Sequence, residues 1–166
     1  MADDCFIAIG SEDDIIDCSR IACNSEIGIK YEFTQEAISK AILVSIAQSG
    51  MLIVARENGN AETKKSDASR IIGFAWVEPK GAFAQAPYLK LIAVDEQRRS
   101  SGIGSMLLQE FEERTRNIGR AWFLLVSDFN EKAISFYERH GYEKAGVLLS
   151  FARDGIDEII MYKRHE

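Results

Sequence analysis

The residues with the clearest chemical potential stand together, Arg99-Ser-Ser-Gly102-Ile-Gly104-Ser105. They follow an apolar run, Tyr88-Leu-Lys-Leu-Ile-Ala-Val94, and a polar break, Asp95-Glu-Gln-Arg-Arg-Ser-Ser101, and a helical pattern continues behind them to about Ile118. This order predicts a buried strand, a tight loop, and a helix whose first turn has almost no side chains. The first N–H groups of a helix have no partner inside it and carry the positive end of its dipole. Without a Cβ at 102 and 104, a diphosphate could come within hydrogen-bonding distance of those amides. Arg99, Ser100, Ser101 and Ser105 would add donors, so the stretch predicts an anion cradle.

Known cradles differ in spacing. A Walker-type loop needs Lys-Ser/Thr after its last glycine, and no Lys follows either glycine here. The dinucleotide fingerprint needs a third glycine where Leu107 stands. The spacing present is Arg-x-x-Gly-x-Gly, from Arg99 to Gly104. A second pattern follows one helix and one strand later: Asn-x-x-Ala-x-x-Phe-Tyr-x-x-x-Gly-Tyr, from Asn130 to Tyr142. Together, in this order, the two resemble the paired signatures of the GNAT superfamily of N-acetyltransferases. The resemblance covers roughly Met51 to Lys163.

These residues must be positioned by the elements around them. Cys5 to Ile9 predicts a first strand. Ser11 with Glu12, Asp13 and Asp14 predicts a helix start, continued by Ile15, Ile16, Ser19, Ile21 and Ala22 to about Asn24. Ser25 to Phe33 is expected to be a connection. Thr34 predicts the cap of a second helix with a broad stripe of Ala37, Ile38, Ala41, Ile42, Val44, Ser45 and Ile46, ended by Gly50. Met51 to Ala55 and Arg70 to Val77 read as antiparallel strands about a long polar loop, Glu57 to Ser69, with Lys64-Lys65 on its surface. Glu78 to Pro87 holds both prolines and predicts a second, functional loop. Ile103, Leu107, Leu108 and Phe111 predict the buried face of the central helix. Glu110/Arg114 and Glu112/Arg116 should pair on its outer side, and Gly119 should stop it. Ala121 to Val126 is a continuous apolar run, hence a strand covered on both faces. A short helix fits between Asn130 and Gly141, and Lys144 to Phe151 with Ile156 to Lys163 form a terminal hairpin. The fold class expected is α/β (α+β): a mixed, mostly antiparallel sheet of about seven strands, with a splayed parallel central pair and four flanking helices.

Composition narrows the function classes. The 166 residues suit one domain, with 46% hydrophobic and 28% charged residues. The net charge of −6 argues against nucleic acid as a ligand and favours a cationic partner. No apolar stretch approaches the ~20 residues of a membrane span. Met-Ala-Asp-Asp does not start a signal peptide, so a cytoplasmic protein without membrane contact is expected. Cys5, Cys18 and Cys23 are odd in number and predict inert thiols rather than a disulfide or zinc site. His140 and His165 are too few for a metal cluster. A monomer or a homodimer remains open, with the last strand available to pair with a second chain.

The resemblance implies acetyl-coenzyme A as cofactor and an amine as acceptor, either a small molecule or a peptide or protein amino group. It implies that a bulge splays the strand Tyr88 to Val94 from the strand Ala121 to Val126, and that the pantetheine arm lies between them. The cofactor residues it implies are Ile92, Ala93, Val94, Arg99, Ser100, Ser101, Gly102, Ile103, Gly104, Ser105, Asn130 and Tyr137. It places Tyr137 where many members keep a general acid for the departing thiolate. The central strand lacks the carboxylate that many members use as a base; Glu78 is the first candidate for that role and Asp128 the rival. The alternative is a non-catalytic acyl-coenzyme A-binding regulatory module of the same fold.

Overall fold

The computed structural model describes residues 5–58 and 70–165. Lys64-Lys65 and most of the loop holding them lie outside the described residues. Seven strands form one sheet in the order β1-β2-β3-β4-β5-β7-β6. They are β1 (Cys5–Ile9), β2 (Met51–Glu57), β3 (Ile71–Ala82), β4 (Ala86–Val94), β5 (Ala121–Ser127), β6 (Glu143–Arg153) and β7 (Ile156–Arg164). Every neighbouring pair is antiparallel except β4 and β5.

Helices cover both faces. On one side lie α1 (Ile15–Cys23) and α3 (Gln35–Ala47), with Ile15, Cys18, Ile21, Ile38 and Ile42 packed on Phe74, Trp76 and Ala93. On the other, α4 (Ile103–Thr115) and α5 (Glu131–Arg139) bury Leu107, Leu108, Phe111 and Ile134 against Ile53, Ala75, Leu124 and Met161. Strand alternation creates the two cores: in β3, Phe74 and Trp76 face α1 and α3, while Ala75 and Val77 face α4. Thr34 caps α3 by accepting from the Ala37 N–H at 3.2 Å.

The structure corrects several expectations. A fifth helix, α2 (Glu26–Lys30), occupies part of the expected connection, because the Ser25 hydroxyl accepts from the Gly28 N–H and starts a turn. The α3 stripe narrows to Ile38, Ile42 and Ser45; Val44 is exposed, since α3 rests on the sheet by one ridge. Ile16 is exposed for the same reason on α1. The expected loop from Glu78 to Pro87 is mostly strand, with residues 83–85 alone turning. The prolines fit there because the ladder is irregular between Glu78 and Ala82 and one sits near the start of β4. α4 ends at Thr115, before Gly119. Glu112 turns inward to the Lys163 ammonium at 2.7 Å instead of pairing with Arg116, whereas Glu110 and Arg114 pair at 2.6 Å. The last strand, β7, is interior, and the edge strands are β1 and β6.

Candidate active site

The site begins with a fault in β4. Trp76 pairs with Leu91 and Val77 with Leu89, so Lys90 is an extra residue without a partner in β3. Such a bulge bends its strand and raises the local twist. Beyond it, β4 leaves β5: the two pair only at Tyr88–Phe123 and Leu89–Leu124. The Lys90 ammonium lies over the Trp76 ring, 4.3 Å from its centre. The two strands thereby form a wedge whose facing backbone groups lack strand partners after Leu89 and Leu124.

A cavity of about 480 Å³ opens in that wedge. Ile92, Ala93 and Val94 line it from β4, and Leu125, Val126 and Ser127 from β5. Phe136 and Tyr137 close one side, and Ser25, Glu26 and Ile27 the other, so the cavity passes through the plane of the sheet. Arg99, Ser100, Gly104 and Asn130 stand at its rim.

At the rim the cradle takes its shape from two left-handed residues, Ser100 at φ +64° and Gly102 at φ +86°. Gly102 is the N-cap of α4, and no side chain caps that helix. Its first amides therefore stay open to an anion. A Cβ built on Gly104 would meet only Phe136 and Val94, at 3.6–4.0 Å. The protein itself thus has room for a side chain at 104. Asp95 anchors the loop behind the cradle, accepting from the Gln97 N–H and from Arg70 at 3.0 Å. Burial raises its pKa, but these two contacts outweigh burial and hold the carboxyl below its ordinary value.

The side-chain donors divide. Arg99 and Ser100 face the cavity, whereas the Ser101 hydroxyl donates to the Arg98 carbonyl and the Ser105 hydroxyl is bonded to His140 Nε2 at 2.9 Å. Gly102, Ile103, Ser101 and Ser105 do not line the cavity; Ile103 is buried under the helix. Asn130 caps α5 through its side-chain carbonyl, accepting from the Ala133 N–H at 3.1 Å, which leaves its NH₂ as a donor.

Tyr137 is held from behind. The Gly141 N–H bonds the Glu138 carbonyl and the Tyr142 N–H bonds the Tyr137 carbonyl, the paired bonds that close a helix end. That turn seats the Tyr142 ring 5.8 Å from the Tyr137 ring, edge to face. Tyr137 is buried, yet its hydroxyl bonds to nothing among the described residues. Burial, then the neighbouring Tyr88, pushes its pKa up, so it stays protonated across the physiological range.

Neither carboxylate suggested by the sequence lines the cavity. Glu78 accepts from the Ser45 hydroxyl at 2.5 Å, and Ser45 in turn accepts from the Trp76 indole at 2.8 Å. This places it on the α3 face, opposite Tyr88 in the β3–β4 register. Asp128 is exposed. Sequence reasoning missed Glu158, a buried carboxylate on β7 that accepts from Ser127 at 2.9 Å and from Tyr31. Its only signal was a second charged residue beside Asp157, directly ahead of the apolar run from Ile159 to Met161.

The model of the acetyltransferase (GNAT) domain family matches residues 48–144, more than half of the chain. The chain belongs to the GNAT acetyltransferases. Acetyl-coenzyme A is the cofactor of this family. Among curated relatives, the chain is 29% identical over 83 residues to YwnH of Bacillus subtilis (strain 168), provisionally named a phosphinothricin acetyltransferase. That match covers 47% of this chain and 51% of YwnH, so the chain spans about half the length of the relative it matches. Among solved structures, Ard1 from Thermoplasma volcanium superposes with a TM-score of 0.77 over 98% of both chains at 24% identity. A provisionally named streptothricin acetyltransferase from Bacillus anthracis str. Ames, in complex with acetyl coenzyme A, gives 0.58 at 20% identity over 70% of this chain and 63% of its own. At these identities the two structures establish the GNAT fold. No helix among the described residues is long and apolar enough to cross a membrane.

Proposed function

We propose that this chain is an N-acetyltransferase moving an acetyl group from acetyl-coenzyme A to a primary amine by direct attack. The observation that carries the reading is the coincidence of an uncapped helix start, a splayed strand pair and a partnerless tyrosine hydroxyl around one cavity. The residues fit the cofactor. The amides of residues 102–105 and the Arg99 guanidinium would hold the diphosphate, and the free backbone of Ile92, Ala93 and Val94 would bond the amides of the arm. Bound there, acetyl-coenzyme A supplies the activated acetyl thioester.

Tyr137 serves as the general acid, delivering its proton to sulfur; its burial keeps that proton in place until it is needed. A backbone N–H near Val94 donates to the carbonyl oxygen as charge gathers on it. Glu78, at the end of the Trp76–Ser45 hydrogen-bond chain on the α3 face, draws the ammonium form of the amine toward the wedge by its charge. Asp128 is proposed for no step, since it is exposed and holds nothing.

The test is a thiol-release assay with acetyl-coenzyme A over a panel of primary amines, beside calorimetric titration of the coenzyme. Release that depends on an amine establishes transfer. Coenzyme binding without release would favour a regulatory acyl-coenzyme A-binding module instead.

A further inference from the structure

His140 closes α5, and both of its ring nitrogens are bonded. Nδ1 lies 2.8 Å from the Phe136 carbonyl, and Nε2 lies 2.9 Å from the Ser105 hydroxyl. A carbonyl only accepts, so Nδ1 carries a hydrogen. In the neutral ring Nε2 then holds a lone pair, and the Ser105 hydroxyl donates to it. The first bond is an ordinary end to a helix, where a basic side chain meets the last carbonyls. The second is different, because it leaves α5 and holds the start of α4.

That start is the cradle. Ser105 is the third residue of α4, so its own N–H is among the amides that no side chain caps. Its Cβ tilts toward the beginning of the helix, which stands the hydroxyl over the same turn. Ser105 and His140 are both half-buried, within reach of solvent. The imidazole also lies 4.4 Å from the Phe136 ring, and Phe136 lines the wedge cavity together with Gly104. One side chain thus joins the wall of the cavity to the cradle at its rim.

The ring's protonation decides what the cradle presents. While Ser105 donates to Nε2, its oxygen can offer an anion only lone pairs. In the imidazolium Nε2 carries a hydrogen as well and donates to Ser105 Oγ, so the serine's hydrogen is free to turn toward an anion. The same proton adds a positive charge one hydrogen bond away from the open amides. No carboxylate among the described residues bonds either nitrogen. The charged groups on the surrounding elements are matched to one another: Glu112 of α4 meets Lys163 of β7 at 2.7 Å, and Glu138 of α5 meets Lys144 of β6 at 3.7 Å. Arg139, next in the chain, is exposed, and the Tyr137 and Tyr142 hydroxyls stay protonated because burial pushes both pKa values up. None of these supplies the anion that an imidazolium would meet.

We propose that His140 is a positioning residue of the coenzyme cradle: it takes up a proton from solvent as a diphosphate binds and turns the Ser105 hydroxyl toward that diphosphate. This rests on reading the start of α4 as the diphosphate site, and it adds a proton to what that site binds. The complex then holds more proton than its free parts. Affinity therefore rises as pH falls, and levels off once the free ring is protonated too.

The test uses the full chain and dephospho-coenzyme A as the probe. That molecule keeps the diphosphate and the pantetheine arm but lacks the phosphate monoester of coenzyme A, a group that itself titrates near pH 6. Calorimetric titration runs from about pH 5.5 to 8.5, on either side of the ordinary imidazole value. The parent's Kd should tighten about tenfold across that range, as for a shift of one unit on binding. In two buffers of different ionisation enthalpy, the apparent heats should differ by the uptake of part of a proton. His140→Gln, which keeps a polar helix end, should abolish both effects and match the parent at pH 8.5. Ser105→Ala should bind more weakly than the parent at pH 5.5 and take up less proton. A role in capping alone would lower the melting temperature of His140→Gln and leave the pH dependence of binding in place. If His140→Gln fails to fold, the parent's proton uptake and Ser105→Ala still decide. A parent with a flat Kd and no proton uptake, or a pH dependence that survives in His140→Gln, overturns the role of His140 and leaves the diphosphate site standing. A folded parent that binds neither coenzyme A nor dephospho-coenzyme A at any pH overturns that site and the role with it. Binding of coenzyme A alone would assign the affinity to its phosphate monoester, and overturns the role as well.

Discussion

At the scale of single residues, Tyr137 and Glu78 have separable signatures. Tyr137→Phe keeps the ring against Phe136 and Tyr142, at 5.2 and 5.8 Å, and removes only the proton. As the general acid its loss should lower kcat by ~10²-fold or more with the Kd for acetyl-coenzyme A unchanged. A variant as fast as the parent would return Tyr137 to packing alone. Glu78 already accepts from Ser45, so the role proposed for it is long-range attraction rather than proton transfer. Glu78→Gln should therefore raise KM for a cationic amine several-fold and leave kcat nearly intact, an effect that fades in high salt. Steady-state kinetics at two ionic strengths would check this; a fall in kcat instead would make Glu78 part of the proton path.

Among the elements, the start of α4 separates what the fold needs from what a ligand needs. A Cβ at 104 meets its neighbours at ordinary contact distances, so Gly104→Ala should not disturb folding. Alanine is the better helix former, by up to about 1 kcal/mol, and should leave the melting temperature unchanged or slightly raised. The same methyl group would stand where a diphosphate approaches the helix amides, and the Kd for coenzyme A should weaken at least about tenfold. Calorimetry beside a thermal melt would show the two effects moving apart. Unchanged affinity in the folded variant would remove the first turn of α4 from the coenzyme site.

For the whole molecule, Asp95 ties the cradle loop to two distant parts of the chain. It bonds Arg70 just before β3 and lies 3.6 Å from Arg20 on α1. Its pKa is lower in the folded protein, so its stabilisation is complete above the unfolded carboxyl value of about 4. It is lost as pH falls through the folded value. Urea unfolding should show the parent losing stability below about pH 4. Asp95→Asn should be less stable than the parent at pH 7, by about 1–3 kcal/mol for the lost charged hydrogen bonds. The gap should close under acid. A gap that persists unchanged at low pH would mean that the loss comes from packing.

What the sequence by itself determined is everything carried by contiguous residues. Apolar runs with the right turn chemistry placed six of the seven strands close to their final bounds, and the two spaced motifs marked the cradle and Tyr137. These signals are local: a helix start, a cap and an alternation depend on residues within a few positions of one another. The α2 turn was legible only weakly, because five residues carry too little periodicity to separate a helix from a connection. The wedge itself was expected from resemblance, but its location needed the register, in which Lys90 is left without a partner and β4 departs after Leu89. The tertiary structure alone decided the companions of each side chain. Glu112 found Lys163 rather than Arg116, Glu78 found Ser45, and Ser127 met Glu158 and Tyr31 across 31 and 96 positions of chain. No spacing rule reaches that far. Such contacts arise when elements from different parts of the chain settle side by side.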